Sequence, residues 1–230
     1  LRLQQADRAY ASGNMAFAEN EYRAMIAEKI RTPELYCKLA AVYAQTARRD
    51  IADRLWKQAL SIDPRCLDAR MNLADSYQQA GNIERAISLY QKVIADNKQL
   101  VVARYLLANL LKSKGDFQEA SDHYLLAIAQ QPNYTQAHFS YSQIHKYNDV
   151  NDPHITQMMA LYQGQSLPGE NRTQLAFALA KAYENIGDYA RSFDFLRAGN
   201  DLRKKEFHYS IDSDRALIDS IIKCFSKEAM

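Results

Sequence analysis

The stretch Pro33 to Cys66, "PELYCKLAAVYAQTARRDIADRLWKQALSIDPRC", decides the fold, because the chain repeats it. Laid over the segments that begin at Leu67 and Val101, it registers without a gap at a period of 34 residues. One column reads Leu39, Leu73, Leu107, and the next reads Ala40, Ala74, Ala108. Further on come Tyr43, Tyr77, Leu111, then Ala52, Ala86, Ala120, then Trp56, Tyr90, Tyr124, then Ala59, Val93, Ala127. Within each unit the apolar residues recur at helical spacing in two runs. Gly81 and Gly115 stand between the runs, where a helix can end in the left-handed conformation that glycine tolerates best. Asn82 and Asp116 follow, as helix-capping residues do. Pro64 and Pro132 close two of the units, since proline cannot continue the hydrogen-bond ladder. Each unit is therefore expected to be a helix A, a tight turn and a helix B. The small Ala86 and Ala120 let the two helices approach closely, and the aromatic residue four positions on fills the gap one turn along the same face.

Working outward, Gly13, Ala18 and Tyr22 fit the second half of an earlier unit. Leu179, Ala180, Tyr183, Gly187 and Tyr189 fit a later one that begins near Thr173, with Asp188 as its cap. The unit from Thr135 departs from the pattern. It keeps a helix A, expected over His138 to Tyr147, but "NDVNDP" replaces the glycine turn and helix B lacks its alanine–aromatic pair. A helix near Pro153–Gln163 and a second loop around "GQSLPGEN" are expected there. The repeat units fall near 1–32, 33–66, 67–100, 101–134, the irregular 135–172, and 173–206. Residues 207–230 form a C-terminal capping or linker helix, whose Leu217, Ile218, Ile221, Ile222 and Phe225 lie along one stripe and are expected to cover the end of the last repeat.

Composition supports an all-α fold. Of 230 residues only 7 are Gly and 5 Pro, too few for a turn-rich β fold. The formal net charge of +2 argues against a polybasic nucleic-acid binder. No apolar run reaches the ~20 residues of a membrane span, and no signal peptide is visible. The three cysteines, Cys37, Cys66 and Cys224, are far apart in sequence and provide neither a disulfide framework nor zinc spacing. A reducing compartment, the cytoplasm, is the expectation. No phosphate-loop, dinucleotide or nucleophile-elbow motif occurs, so neither catalytic residues nor cofactors are expected. His138, His145 and His154 are read as packing imidazoles, not metal ligands. Arg197, Arg203, Lys204 and Lys205 are read as a solvated helix end.

The columns above resemble the tetratricopeptide repeat, with its pattern W-x2-L-G-x2-Y…A-x3-F…P. The resemblance covers most of residues 1–206 and implies a right-handed α-superhelix whose A helices line a concave face. The fifth A-helix positions, Cys37, Met71, Tyr105, Phe139 and Phe177, would form an apolar ladder there. The ninth positions, Ala41, Asp75, Asn109, Gln143 and Lys181, would form a polar row, with Lys112 one turn further on. The implied function is a scaffold that binds a protein or peptide through Met71, Asp75, Tyr105, Asn109, Lys112, Phe139, Gln143, Phe177 and Lys181. Asn109 and Gln143 would then bond the backbone of an extended segment. The carboxylate clamp of chaperone-binding members is absent, since Cys37, Ala41, Asn72, Asp75 and Gln79 stand at its positions.

Residues 135–230 also resemble the segment that joins such repeats to a sulfotransferase domain in a family of two-part, chiefly bacterial proteins. Its anchors here are Arg197, Gly199, Asn200, Leu202, Arg203, Tyr209, Asp214, Ile218, Ile221 and Phe225. In that family a strand and a phosphate-binding loop of the type "GMPRSGT" come next and cradle 3′-phosphoadenylyl sulfate. The sequence ends at Met230 before such a loop, so the resemblance implies the non-catalytic repeat part of a larger enzyme. The alternative is a free-standing adaptor or assembly scaffold.

Overall fold

The computed structural model describes residues 1–164, 167–207 and 211–225. Among them are thirteen α-helices and no strand. The chain divides into two compact units, Leu1–Pro132 and Asn133–Met230.

The first unit is four helical hairpins. They are α1 (Arg2–Ala11) with α2 (Met15–Ala27), α3 (Pro33–Gln45) with α4 (Arg49–Ile62), α5 (Leu67–Gln79) with α6 (Ile83–Asp96), and α7 (Val101–Lys114) with α8 (Phe117–Gln130). Helices α5 and α7 each begin 34 residues after the A helix before, as the sequence period requires. Each B helix also packs on the next A helix, α2 on α3, α4 on α5 and α6 on α7. The repeated alanines explain this closeness. Ala40, Ala52, Ala74, Ala86, Ala108 and Ala120 have no exposed surface, and Trp56, Tyr90 and Tyr124 fill the space beside them. Burial of these apolar side chains at about 25 cal/mol per Å² is the main stabilising term.

The turns follow the expectation in backbone and depart from it in side chains. Gly81 and Gly115 sit at φ of 76° and 96°. The aligned position in the second hairpin is Ala47, which is forced to φ 59° without glycine's freedom. Asn82 and Asp116 occupy the N-cap positions of α6 and α8, but neither side chain caps its helix. Asp116 turns instead to Lys114, 3.1 Å away. Of the later turn residues, Asp188 does cap, accepting from the Arg191 N–H at 3.0 Å.

The second unit contains α9 (Thr135–Ser142), α10 (Pro153–Gln163), α11 (Gly169–Ile186), α12 (Tyr189–Phe207) and α13 (Ile211–Cys224). Helices α11 and α12 form the expected last hairpin across Gly187, at φ 82°. Both α9 and α10 pack on α11. Two expectations need correction. Helix α9 stops at Ser142 and does not run on to Tyr147. The Ser142 hydroxyl donates to the Phe139 carbonyl at 2.7 Å, a local bond that competes with the helical ladder. Tyr147 then turns inward and is fully buried with Ile155, Met158, Leu175 and Leu179. The second loop is also shorter than "GQSLPGEN", because α11 already begins at Gly169.

Helix α13 forms where its periodicity predicts, but its stripe does not cover the last repeat. Leu217, Ile218, Ile221 and Ile222 are 49–62% exposed and Phe225 is 79% exposed. The capping contact is therefore not made among the described residues. Tyr209 and residues 226–230 of the same expectation lie outside the described residues.

Candidate functional site

Nine residues were singled out from sequence, and they divide between the two units. Met71, Asp75, Tyr105, Asn109 and Lys112 belong to α5 and α7 of the first. Phe139, Gln143, Phe177 and Lys181 belong to the second, where they converge.

In the first unit the ninth-position row is partly engaged in holding each hairpin together. The Tyr124 hydroxyl donates to Asn109 Oδ1 at 2.6 Å, and in the first hairpin Tyr22 donates to Asp7 Oδ1 at 2.7 Å. Asp75 faces the buried phenol of Tyr90, which is pushed up to about 12 by burial first and by the Asp75 charge second. Asp75 also accepts from Gln79 at 2.6 Å. The second hairpin has Trp56 in place of the tyrosine and Ala41 in place of the acceptor. The Trp56 indole N–H there is buried without a partner. Phenol and acceptor thus come and go together, one per hairpin. Asn109 consequently has its amide NH2 and only one carbonyl lone pair left to offer a ligand. Tyr105 is half-buried, its ring 6.1 Å from that of Tyr124.

In the second unit a pocket of about 430 Å³ is lined by Phe139, Gln143, Phe177, Ala180, Lys181, Glu184, Ser192, Leu196 and Arg203. Helical spacing assembles it. Phe139 and Gln143 are one turn apart at the end of α9. Phe177, Lys181 and Glu184 follow one face of α11, and Ser192, Leu196 and Arg203 one face of α12. Phe139 and Phe177 are each half-buried, so their rings form a floor that remains open to solvent. The Phe177 ring rests on Gly199, where an added Cβ would lie 2.9 Å from a ring carbon. This contact explains a glycine in the middle of a nineteen-residue helix. The Ser192 hydroxyl is buried and donates to the Ala180 carbonyl at 2.9 Å, so it braces the wall. Lys181 and Glu184 pair at 2.7 Å on the rim. An exposed pair of this kind is worth about 0–1 kcal/mol and yields readily to a ligand's charge. Gln143 is exposed, with only a long 3.3 Å contact to Ser142.

Sequence reading placed the groove on A helices alone and so missed Leu196, Gly199 and Arg203 from α12. Their spacing of three and four residues was the available signal.

Beside this pocket the irregular repeat buries a network of histidines and tyrosines. His138 Nδ1 meets His154 Nε2 at 2.8 Å, with the rings stacked 5.0 Å apart. The Tyr147 hydroxyl meets His154 Nδ1 at 2.7 Å. The Tyr141 hydroxyl meets His145 Nδ1 at 3.0 Å, and His145 Nε2 meets Asp152 Oδ2 at 3.2 Å. Asp152 Oδ1 also accepts from the His154 backbone N–H at 2.8 Å and caps α10. Burial, then the neighbouring His138 and His145, push His154 down to about 3. The network holds α9 to α10 where the usual hairpin turn is missing. Among the described residues no group of three or more His, Cys, Asp or Glu side chains is disposed to hold a metal ion. No helix among them is long and apolar enough to cross a membrane.

A second hollow, of about 700 Å³, lies in the first unit between α2, α3 and α4. Its Glu19 carboxylate is already held by Arg48 at 2.5 Å and by the Tyr43 hydroxyl at 2.9 Å. None of the nine residues lines it.

Comparison with known proteins agrees with this architecture. A model described as "Tetratricopeptide repeat" matches residues 48–99 and 78–143, and one described as "Tetratrico peptide repeat" matches 154–228. No curated protein sequence matches the chain. Among solved structures, "Crystal structure of MamA" superposes with a TM-score of 0.55 at 17% identity, covering 89% of this chain and 97% of that one. A structure titled "Crystal structure of YrrB: a TPR protein with an unusual peptide-binding site" gives 0.61 at 16% identity, over 79% of this chain and 91% of that one. Identities this low speak to the fold alone. Taken with the two family matches and the helical hairpins above, they make this chain a member of the tetratricopeptide repeat family.

Proposed function

We propose that the chain is a peptide-binding scaffold and that the pocket between α9, α11 and α12 is where it takes its ligand. The observation that carries this reading is the convergence of Phe139, Gln143, Phe177 and Lys181 on one open hollow with an aromatic floor. An extended segment would place a large apolar side chain over the two rings. Gln143 would bond its backbone, and Lys181, released from Glu184, would meet a carboxylate. Met71, Asp75, Tyr105, Asn109 and Lys112 belong to the same proposal as ligand contacts on α5 and α7. The solved relative whose title names a peptide-binding site lends the reading support by analogy of fold. The test is selection from a displayed random-peptide library on the immobilised chain. Enriched peptides should share a large apolar residue flanked by acidic ones. Gln143→Ala and Lys181→Glu, both at the surface, should each weaken their binding about tenfold, a loss of ~1.4 kcal/mol. Absence of enrichment, or peptides indifferent to both substitutions, would remove the pocket from the account.

A finer reading rests on the ordered anchors from Arg197 to Phe225. In it the chain is the non-catalytic repeat part of a sulfotransferase-family protein of the cytoplasm, and the pocket presents a protein or peptide substrate to that domain. Its test is the gene. An open reading frame that continues past codon 230 into a glycine-rich phosphate loop supports it, and a stop codon there leaves the free-standing adaptor.

A further inference from the structure

Cys37 and Cys66, far apart in sequence, are neighbours in the fold, with their sulfurs 3.7 Å apart. Both are free thiols. Cys37 is buried on α3, and Cys66 is half-buried at the N-cap of α5. Helices α3 and α5 already pack directly on each other. We propose that this pair is an oxidisable site, which on meeting a hydroperoxide closes an intramolecular disulfide between consecutive repeats.

The chemistry divides between the two sulfurs by access. Cys66 is the one solvent reaches, and its thiolate attacks the peroxide oxygen. The O–O bond breaks, the sulfur is oxidised to the sulfenic acid Cys66–SOH, and hydroxide or alkoxide leaves. The Cys37 thiol then attacks the sulfenic sulfur. The S–S bond forms, the S–O bond breaks, and the Cys37 proton leaves with the hydroxyl as water. Two cysteine sulfurs are oxidised and one peroxide is reduced. Burial, and then the nearby Cys66, hold the Cys37 thiol well above the usual range. Cys37 is therefore not the sulfur that meets the peroxide, and it gives up its proton to the departing hydroxyl only as it attacks.

The bond needs the sulfurs to close from 3.7 Å to about 2.05 Å. Cys66 supplies the movement. It ends the short turn after α4, held by its N–H to the Asp63 carbonyl at 3.0 Å, and is not locked inside a helix. The bridge would pin the A helix of one repeat to that of the next. Stability in such arrays is largely a sum of nearest-neighbour terms, so the second and third hairpins would stiffen most. Cys37 stands at the fifth helix-A position, so the bridge also falls in register with Met71 and Tyr105 of the following repeats.

The test uses the whole chain carrying Cys224→Ser, which removes the remaining thiol. After treatment with hydrogen peroxide and alkylation, tryptic digestion without reductant should yield residues 32–38 joined to residues 66–70, lighter by two hydrogens than the separate peptides. Both free thiols should disappear without a disulfide-linked dimer forming. The Tm should rise by roughly 5 °C or more and return on reduction, since the bridge closes a long loop in the unfolded chain. Cys66→Ser should abolish both the linked peptide and the Tm rise while remaining folded, because that site is half-exposed. Sulfinic acid on Cys66 with Cys37 still free, an intermolecular dimer, or two unreacted thiols would each overturn the proposal.

Discussion

Ala47 shows what a single residue contributes when the repeat pattern is broken at one position. Four aligned or equivalent turns place glycine in the left-handed region, and this one places alanine at φ 59°. The Cβ penalty there is about 1–2 kcal/mol, and glycine's extra freedom in the unfolded chain returns roughly half of that. Ala47→Gly is therefore expected to stabilise the chain by about 0.5–1 kcal/mol in urea melts, whereas alanine-to-glycine changes in helix interiors destabilise. His154 contributes in a different currency. Its imidazole, facing His138, His145, Tyr141, Tyr147 and Asp152, stays neutral in the fold down to about pH 3, while in the unfolded chain it takes up a proton near pH 6.5. The folded value is the lower one, so the unfolded state binds more protons below pH 6.5. Stability present above that pH is lost as the pH falls toward 3, at up to about 1.4 kcal/mol per pH unit. Denaturant melts of the chain between pH 7.5 and 5 should show this loss, and His154→Gln should flatten the slope. A pH-independent midpoint would contradict the buried network.

At the scale of the helix, the contact between α11 and α12 is set by one missing methyl group. Gly199 in the middle of α12 would ordinarily cost about 1 kcal/mol relative to alanine. Here the Phe177 ring occupies the space, with a built Cβ at 2.9 Å from it. Gly199→Ala is expected to destabilise by about 1–2 kcal/mol through overpacking, and Phe177→Leu in the same chain should recover part of the loss. A stabilisation by Gly199→Ala alone would show that the ring is free to move away. The same substitution should distort the pocket floor, since Phe177 is part of it. What was legible in the sequence at this scale follows the repeat. Periodicity located α3 to α8, and also α10 over Pro153–Gln163. It located α13 too, but the stripe of a helix says only that a face is apolar, not that a partner lies against it, and that face is exposed. Helix α9 was overextended because the pattern cannot register a hydroxyl that bonds back to its own helix, as Ser142 does. Asn82 and Asp116 stand at capping positions without capping, because a cap is a matter of rotamer and not of sequence position.

At the scale of the whole chain, the period of 34 residues made the fold legible and the site only half so. The A-helix positions that matter could be counted from the repeat, and Phe139, Gln143, Phe177 and Lys181 do line one pocket. Which positions were already occupied could not be counted. Asn109 was read as a backbone-binding amide, yet its carbonyl already accepts from Tyr124. The third wall, from α12, was invisible because it depends on how closely Gly199 lets two helices meet. The proximity of Cys37 and Cys66 was likewise hidden by their separation of 29 positions in the sequence. The central claim is that this repeat protein takes an extended peptide into the pocket of its second unit. The most direct measurement is amide NMR of the labelled chain titrated with a library-selected peptide. The account predicts saturable shifts largest at Phe139, Gln143, Phe177, Lys181 and Leu196, which Lys181→Glu weakens. Shifts confined to residues 1–132, or none that saturate, would contradict it.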